Sequence, residues 1–265
     1  VDLSDLQKTQ VKVQKAFEQL CEQDLLLELD HEGYPGRLGE TRDAPRFLFL
    51  RGRMELLERP SLAVVGTRNP TSEGEKRAYK LGYLLAKWGI TVASGLARGI
   101  DRCAHLGTLD HGGDAIGVLG TPLTRSYPQE HAELQEAIGS VGLLVSQFHP
   151  GAHTLPLHFP LRNAVMSGLC LGTIVVEASE TSGALIQARK CLEQGRRLFI
   201  PHSAVANPAL RWPKVFLERG ATEFATIEEI SAVLGTWLMG DAEVRGSTVA
   251  VGYRCSLSPS TSRRS

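Results

Sequence analysis

From Leu62 onward, short apolar runs alternate with segments of helical period: "LAVVG", a helix to Trp88, "ITVASG", a helix through His105, "DAIGVLG", a helix from about Gln129, "LLVSQ", a helix near Arg162, "GTIVVEA", a helix from Ser182, then "RLFIP". Strands separated by helices cannot pair through tight hairpins, so they run parallel and the helices cover both faces of the sheet. Runs such as "TIVVEA" are apolar at consecutive positions, as strands buried on both faces must be. In the first helix Ala78, Leu81, Leu85 and Trp88 recur three and four apart and mark its buried stripe. The expected class is α/β, a doubly wound and mostly parallel sheet.

The flanks are less regular. "VQKAFEQLCEQDLLLEL" (13–29) reads as one amphipathic helix, followed by the turn "DHEGYPGRLGE" and a β-like "RFLFLRG". Residues 1–60 are therefore expected to be a helical and extended lead-in packed on the sheet, and 61–239 the sheet domain. Residues 240–265 lack periodicity and end in "SLSPSTSRRS", the composition of a disordered tail.

The 265 residues hold 29 Lys+Arg and 29 Asp+Glu, so a polyanionic partner would need a local patch rather than a global field. Five cysteines, odd in number and without a C-x-x-C pair, suggest neither a disulfide framework nor a zinc site, and a reducing cytoplasm suits them. No apolar run reaches the roughly 20 residues of a spanning helix, and no signal pattern opens the chain, so a soluble protein without membrane association is expected.

Ligands of an open parallel sheet sit beyond the carboxyl ends of its strands, where helix N-termini attract anions. The turns at that edge are "GTRNPTS" (66–72), "SGLARG" (94–99), "GTPLTRSYP" (120–128) and "SQFHPGAHTLPLHFPLRN" (146–163). They contain Arg68, Arg98, Arg125, Arg162 and three histidines, and no Asp or Glu, where roughly four acids would fall by chance. Arg68, just after Gly66 and Thr67, can lay its planar fork on a phosphate; an arginine pinned to a loop carbonyl or carboxylate is the competing reading. Ser94–Gly95 and Ser182–Gly183 repeat a hydroxyl–glycine pair at two further strand ends, as ligand contacts or as caps. Tyr127, Phe148 and Phe159 could stack on bases or simply pack their loops. His149, His153 and His158 lack the spacing and the carboxylate partner of a zinc site, so no metal is expected. Asp101 and His105 could pair across a helical turn, and Glu177 could bind a ribose or orient an arginine.

Neither the G-x-G-x-x-G fingerprint of dinucleotide enzymes nor a P-loop is present. Six motifs in order, "LAVVGTR", "SGLARGIDRCAH", "AIGVLGTPLTRSYPQEH", "FPLRN", "IVVEASETSGALIQAR" and "GRRLFIP", closely resemble the DNA-processing protein A family, also called DprA or Smf, over about residues 24–235. The resemblance implies an extended Rossmann-like domain that binds single-stranded DNA without strong sequence preference. It further implies a homodimer that hands the strand to the recombinase RecA in natural transformation, with no catalysis and no cofactor. Arg68 matches the arginine of the family's "G-[ST]-R" turn and would contact backbone phosphate. Ser94, Gly95, Arg162, Asn163, Ser182 and Gly183 match other motif positions that line or support the same groove.

Departures from the family pattern are Ala164 in place of an arginine, Gln147 in place of a glutamate, "SGALIQA" with Gln187 for "SGSL-x-TA", and His202 for a glycine. Residues 240–265 leave no room for the family's winged-helix module. Three readings stay in play: a DNA-binding recombination mediator, a nucleotide-binding sensor or hydrolase of the same superfold, and a scaffold acting through partners.

Overall fold

A computed structural model describes residue 11 and residues 14–235. Nine strands among them form one sheet: β1 (Leu25–Glu28), β2 (Phe47–Gly52), β3 (Ser61–Val65), β4 (Thr91–Ser94), β5 (Ala115–Leu119), β6 (Leu143–Ser146), β7 (Gly172–Val175), β8 (Arg197–Pro201) and β9 (Thr222–Phe224). Their order is β1-β2-β6-β5-β4-β3-β7-β8-β9. All pairings from β6 to β9 are parallel, whereas β1–β2 and β2–β6 are antiparallel. The sheet is thus mixed and mostly parallel, and Rossmann-like. Chain order runs outward in one direction from β3 through β6 and in the other from β7 through β9. The reversal between β3 and β7 is a topological switch point, where crossovers leave in opposite directions and open a crevice.

Five long helices make the crossovers: α1 (Ser72–Lys87), α2 (Ile100–Leu109), α3 (Ala132–Val141), α4 (His158–Leu169) and α5 (Ala184–Glu193). Alternation along the strands divides them between the faces. Ile116, Val118, Leu143 and Val145 share a core with Val165, Met166 and Leu169 of α4 and Leu185 and Ala188 of α5. Ala115, Leu119 and Leu144, on the opposite face, pack with Ile138 of α3.

Thr71 caps α1 by accepting from the Gly74 amide at 3.0 Å. The buried stripe of α1 is Gly74, Ala78, Gly82 and Leu85, rotated from the expected one because Gly82 lies against the Ala104 carbonyl and Thr108 of α2. A side chain at Gly82 would collide with that backbone, so the close approach of α1 and α2 depends on glycine there.

Two expectations are corrected. The apolar run at 25–29 is not helix: residues 14–17 are helical, the next seven turn, and Leu25–Glu28 form β1. Asp24 breaks the helix by accepting from the Cys21 amide at 2.9 Å, and it pairs with Arg51 of β2 at 2.6 and 2.7 Å, which sets β1 beside β2. The lead-in is also not packed on the sheet but part of it. β2 pairs with β6, and Tyr34, Leu38, Leu48, Leu50, Leu56 and Leu57 are buried in the main core. The division at 60/61 therefore falls between two strands of one sheet.

The chain separates into compact units at 1–227 and 228–265. Of the second, residues 228–235 are described and are helical; the expected disordered tail lies outside the described residues. Among the described residues no helix is long and apolar enough to cross a membrane.

Candidate nucleic-acid interface

The turns after β3, β5, β6 and β7 meet above the switch point, as the topology requires, and enclose a cleft of about 560 Å³. Its walls include Val65, Phe159, Pro160, Met166 and Ile186, and its polar lining includes Arg68, Asn163, Ser182 and Gln187. Arg68 is exposed at the mouth, its guanidinium 5.8 Å from the centroid of the Phe159 ring. Phe159 in turn contacts Tyr127 at 5.1 Å, and Tyr127 is 51% exposed. Among the described residues Arg68 has no carboxylate partner, so its charge remains open to a ligand.

Carboxylates in the turns at this edge are turned to internal use; one, Glu180 ahead of α5, accepts from the Arg211 and Trp212 amides at 2.6 and 3.2 Å. Glu177, two residues past β7, accepts from the Thr71 amide at 2.9 Å and the Thr71 hydroxyl at 2.7 Å, while its own carbonyl accepts from Thr67 N at 2.7 Å. With Glu73 and Glu75 in its first turn, the N-terminus of α1 is already satisfied by negative charge. Asp101, fully enclosed, accepts from the Gly95 and Ala97 amides at 3.0 and 3.4 Å. It takes the place a phosphate would hold in the turn after β4. Glu130 grips Arg98 through two bonds of 2.7 Å. The N-termini of α4 and α5 carry no acid in their first turns, and both border the cleft; at α5 the Ser182 hydroxyl accepts from the Ala184 amide at 3.3 Å. Anion attraction is therefore concentrated on the α4–α5 side, opposite Arg68.

Beneath the mouth lies a buried polar cluster. Arg162 of α4 is 5% exposed, donates to the Val118 carbonyl at 2.6 Å and to Asn163 Oδ1 at 3.1 Å, and lies flat against Gly95, leaving no room for a side chain there. Burial lowers its pKa to about 10, with Asp101 opposing that shift and Arg68 adding to it. Burial likewise raises the Asp101 carboxyl, against the pull of Arg162. His105 is enclosed beside Ser94, and burial drives its pKa down to about 4. Together these groups hold the turn 94–99, in which Leu96 adopts a left-handed φ of 54° and its carbonyl bonds His131 Nδ1 at 2.8 Å.

The expected site residues thus sort by placement. Arg68, Tyr127, Phe159, Asn163, Ser182 and Gly183 line the cleft, with Gly66 and Thr67 forming the turn that carries Arg68. Arg125 is exposed beside the mouth, 3.4 Å from Thr154 Oγ1. Five assignments change. Ser94 is buried and donates to the Val64 carbonyl at 2.7 Å, which removes it from the surface. Gly95 is covered by Arg162. Arg162 is a wall of the cleft balanced by Asp101 rather than a free phosphate contact, and Arg98 is neutralised by Glu130. Phe148 does not offer its face: it is 9% exposed and stacks on His158 at 3.9 Å and 12°. Asp101 and His105 sit in one buried cluster rather than in an open acid–base pair. Glu177 orients a helix rather than an arginine.

Residues 25–235 match the family model described as DNA recombination-mediator protein A. The DNA processing protein DprA of Streptococcus pneumoniae is 43% identical over 171 residues, 64% of this chain and 60% of that protein. Protein Smf of Escherichia coli is 40% identical over 206 residues, 77% of this chain and 55% of that one. The chain therefore spans less than two thirds of the length of these relatives. The X-ray structure of the S. pneumoniae protein superposes with a TM-score of 0.75 at 34% identity, covering 88% of this chain and 78% of the other. A structure of DNA processing protein A from Helicobacter pylori, reported for its single-stranded DNA binding mode, gives 0.69 at 26% identity and covers 81% and 96%.

Proposed function

The chain belongs to the DNA recombination-mediator protein A family, and from that premise we propose that its cleft binds single-stranded DNA. The observation that carries this reading is Arg68. It is an exposed cation without a carboxylate partner among the described residues, at the mouth of a switch-point cleft whose far side is two acid-free helix N-termini. Phosphates lie along the mouth, held by Arg68 and Arg125 and attracted by the N-terminus of α5 at Ser182 and Gly183. The apolar interior below them is large enough for one base, and Tyr127 and Phe159 offer ring faces at the rim. A duplex keeps its bases stacked and cannot fill that interior.

In the cell this chain protects incoming single strands and loads RecA onto them during natural transformation, acting as a cytoplasmic homodimer and without catalysis of its own. Support for this wider role comes from the match of residues 25–235 to a recombination-mediator family model. The test is a gel shift with single- and double-stranded oligonucleotides of one sequence at two salt concentrations, with mononucleotide as competitor. Tighter binding of the single strand, weakened by salt and indifferent to mononucleotide, is expected. Tight mononucleotide binding with no oligonucleotide complex would instead make the protein a nucleotide sensor or hydrolase.

A further inference from the structure

At the inner end of the cleft, Gln187 of α5 is fully buried and is one of its lining residues. Its Nε2 donates to Thr173 Oγ1 of β7 at 3.2 Å. Its Oε1, equally buried, has no hydrogen-bond partner. Behind Thr173, the Cys191 thiol donates to the Arg197 carbonyl at 3.1 Å. Oε1 is thus a buried acceptor without a donor on a residue that lines the cleft, and a buried carbonyl oxygen left so is costly until something donates to it.

We propose that Gln187 reads the edge of the base that enters the cleft, favouring one with an exocyclic amino group over one with a carbonyl at the same place. The inference rests on the single-stranded DNA reading above and adds to it a base preference located in one side chain. A base inserted between apolar walls puts its edge farthest from the sugar toward the floor. Cytosine carries an amino donor there at C4, and thymine carries an acceptor that would meet Oε1 oxygen to oxygen. The two pyrimidines match in size, so stacking on Phe159 and the cations at the mouth do not separate them. The family pattern has threonine where Gln187 stands, so the preference belongs to this chain.

The experiment is competition at mildly alkaline pH, where cytosine tracts stay unfolded, between unlabelled oligo-dC and oligo-dT of equal length against a fluorescent strand. Wild-type protein is expected to bind oligo-dC about fivefold or more tightly than oligo-dT, the size of one well-placed base contact. Gln187→Met, similar in length and without an acceptor of that strength, should bring the ratio to about one. Arg68→Ala should weaken both oligonucleotides alike and leave the ratio intact. Equal binding by the wild type, or tighter oligo-dT, overturns the inference without Gln187→Met having to fold, and leaves the DNA-binding reading standing. A ratio unchanged in a folded Gln187→Met protein overturns it as well. Binding of neither oligonucleotide overturns both readings together.

Discussion

Arg68 and Arg98 follow strand-ending glycines on the same edge of the sheet, yet their surroundings give them opposite uses. Arg98 is bonded twice by Glu130, whereas Arg68 rests on the Phe159 ring with its hydrogen-bonding edge open. Arg68→Ala is expected to lower affinity for all single-stranded sequences by about tenfold and to reduce the salt slope by about 0.7. Arg98→Ala should change affinity by less than about twofold, at least about fivefold less than Arg68→Ala; fluorescence anisotropy across a salt series checks both. The distinction is not legible in the sequence, because Glu130 lies 32 residues from Arg98 and outside every turn that frames the edge. His105 supplies a second prediction. Folded, it stays neutral down to about pH 4, whereas the unfolded chain protonates it near 6.5. Between those values the unfolded state binds more protons, so the contribution of His105 is full above about pH 6.5 and is lost as pH falls toward 4. The loss between pH 7 and pH 5 is about 2 kcal/mol. His105→Leu should remove that loss, and urea unfolding of both proteins at the two pH values measures it. The Asp101 carboxyl, raised by burial, titrates in the opposite sense and is present in both.

Among elements, α1, α2 and α5 all begin at the carboxyl edge, but their N-termini are not equivalent. α1 is closed by Glu177 and the turn before α2 by Asp101, while α5 starts at Ser182–Gly183 with no acid in its first turn. Glu177→Ala leaves the Thr71 amide and hydroxyl without their acceptor and should cost about 1 kcal/mol of stability, read as a lower thermal midpoint. Single-strand affinity should hold or rise, since the change also removes a negative charge near Arg68. The strands and long helices were legible because each carries its own period: the apolar runs at 62–66 and 115–119 need no partner to be recognised. The buried stripe of α1 was not, because the residue that faces α2 is Gly82, which carries no hydrophobic signal and matters only for the backbone it lets approach. The run "LLLEL" was misread for the complementary reason. Four leucines in five residues fit either period, and Asp24 with Arg51 of a distant strand decides between them.

For the whole molecule, the antiparallel lead-in ties the sheet together. β2 covers the edge of β6, and Leu48 and Leu50 are fully buried in the core that also holds α4. Each such leucine contributes about 1.5–3 kcal/mol when removed from water. A chain beginning at residue 61 loses these together with Leu38 and Leu56 and exposes an apolar strand edge, so it is expected to aggregate rather than unfold cooperatively. Size-exclusion chromatography and calorimetry would show this, and a soluble, cooperative 61–265 fragment would make the lead-in dispensable. The cleft, by contrast, was foreseeable from topology, since the carboxyl edge follows from chain direction alone. What sequence could not supply was the direction in which each charge there faces. The net charge of zero makes that direction measurable. A uniformly basic protein would bind DNA through many diffuse contacts and a steep salt dependence, whereas here the open cations at the mouth are Arg68 and Arg125, with Arg162 buried behind them beside Asp101. Two phosphate contacts on a single strand give a slope of log affinity against log salt of about −1.4. A slope near zero would mean that phosphates are not held at this cleft. A slope several times steeper would place the main DNA-binding surface elsewhere in the molecule.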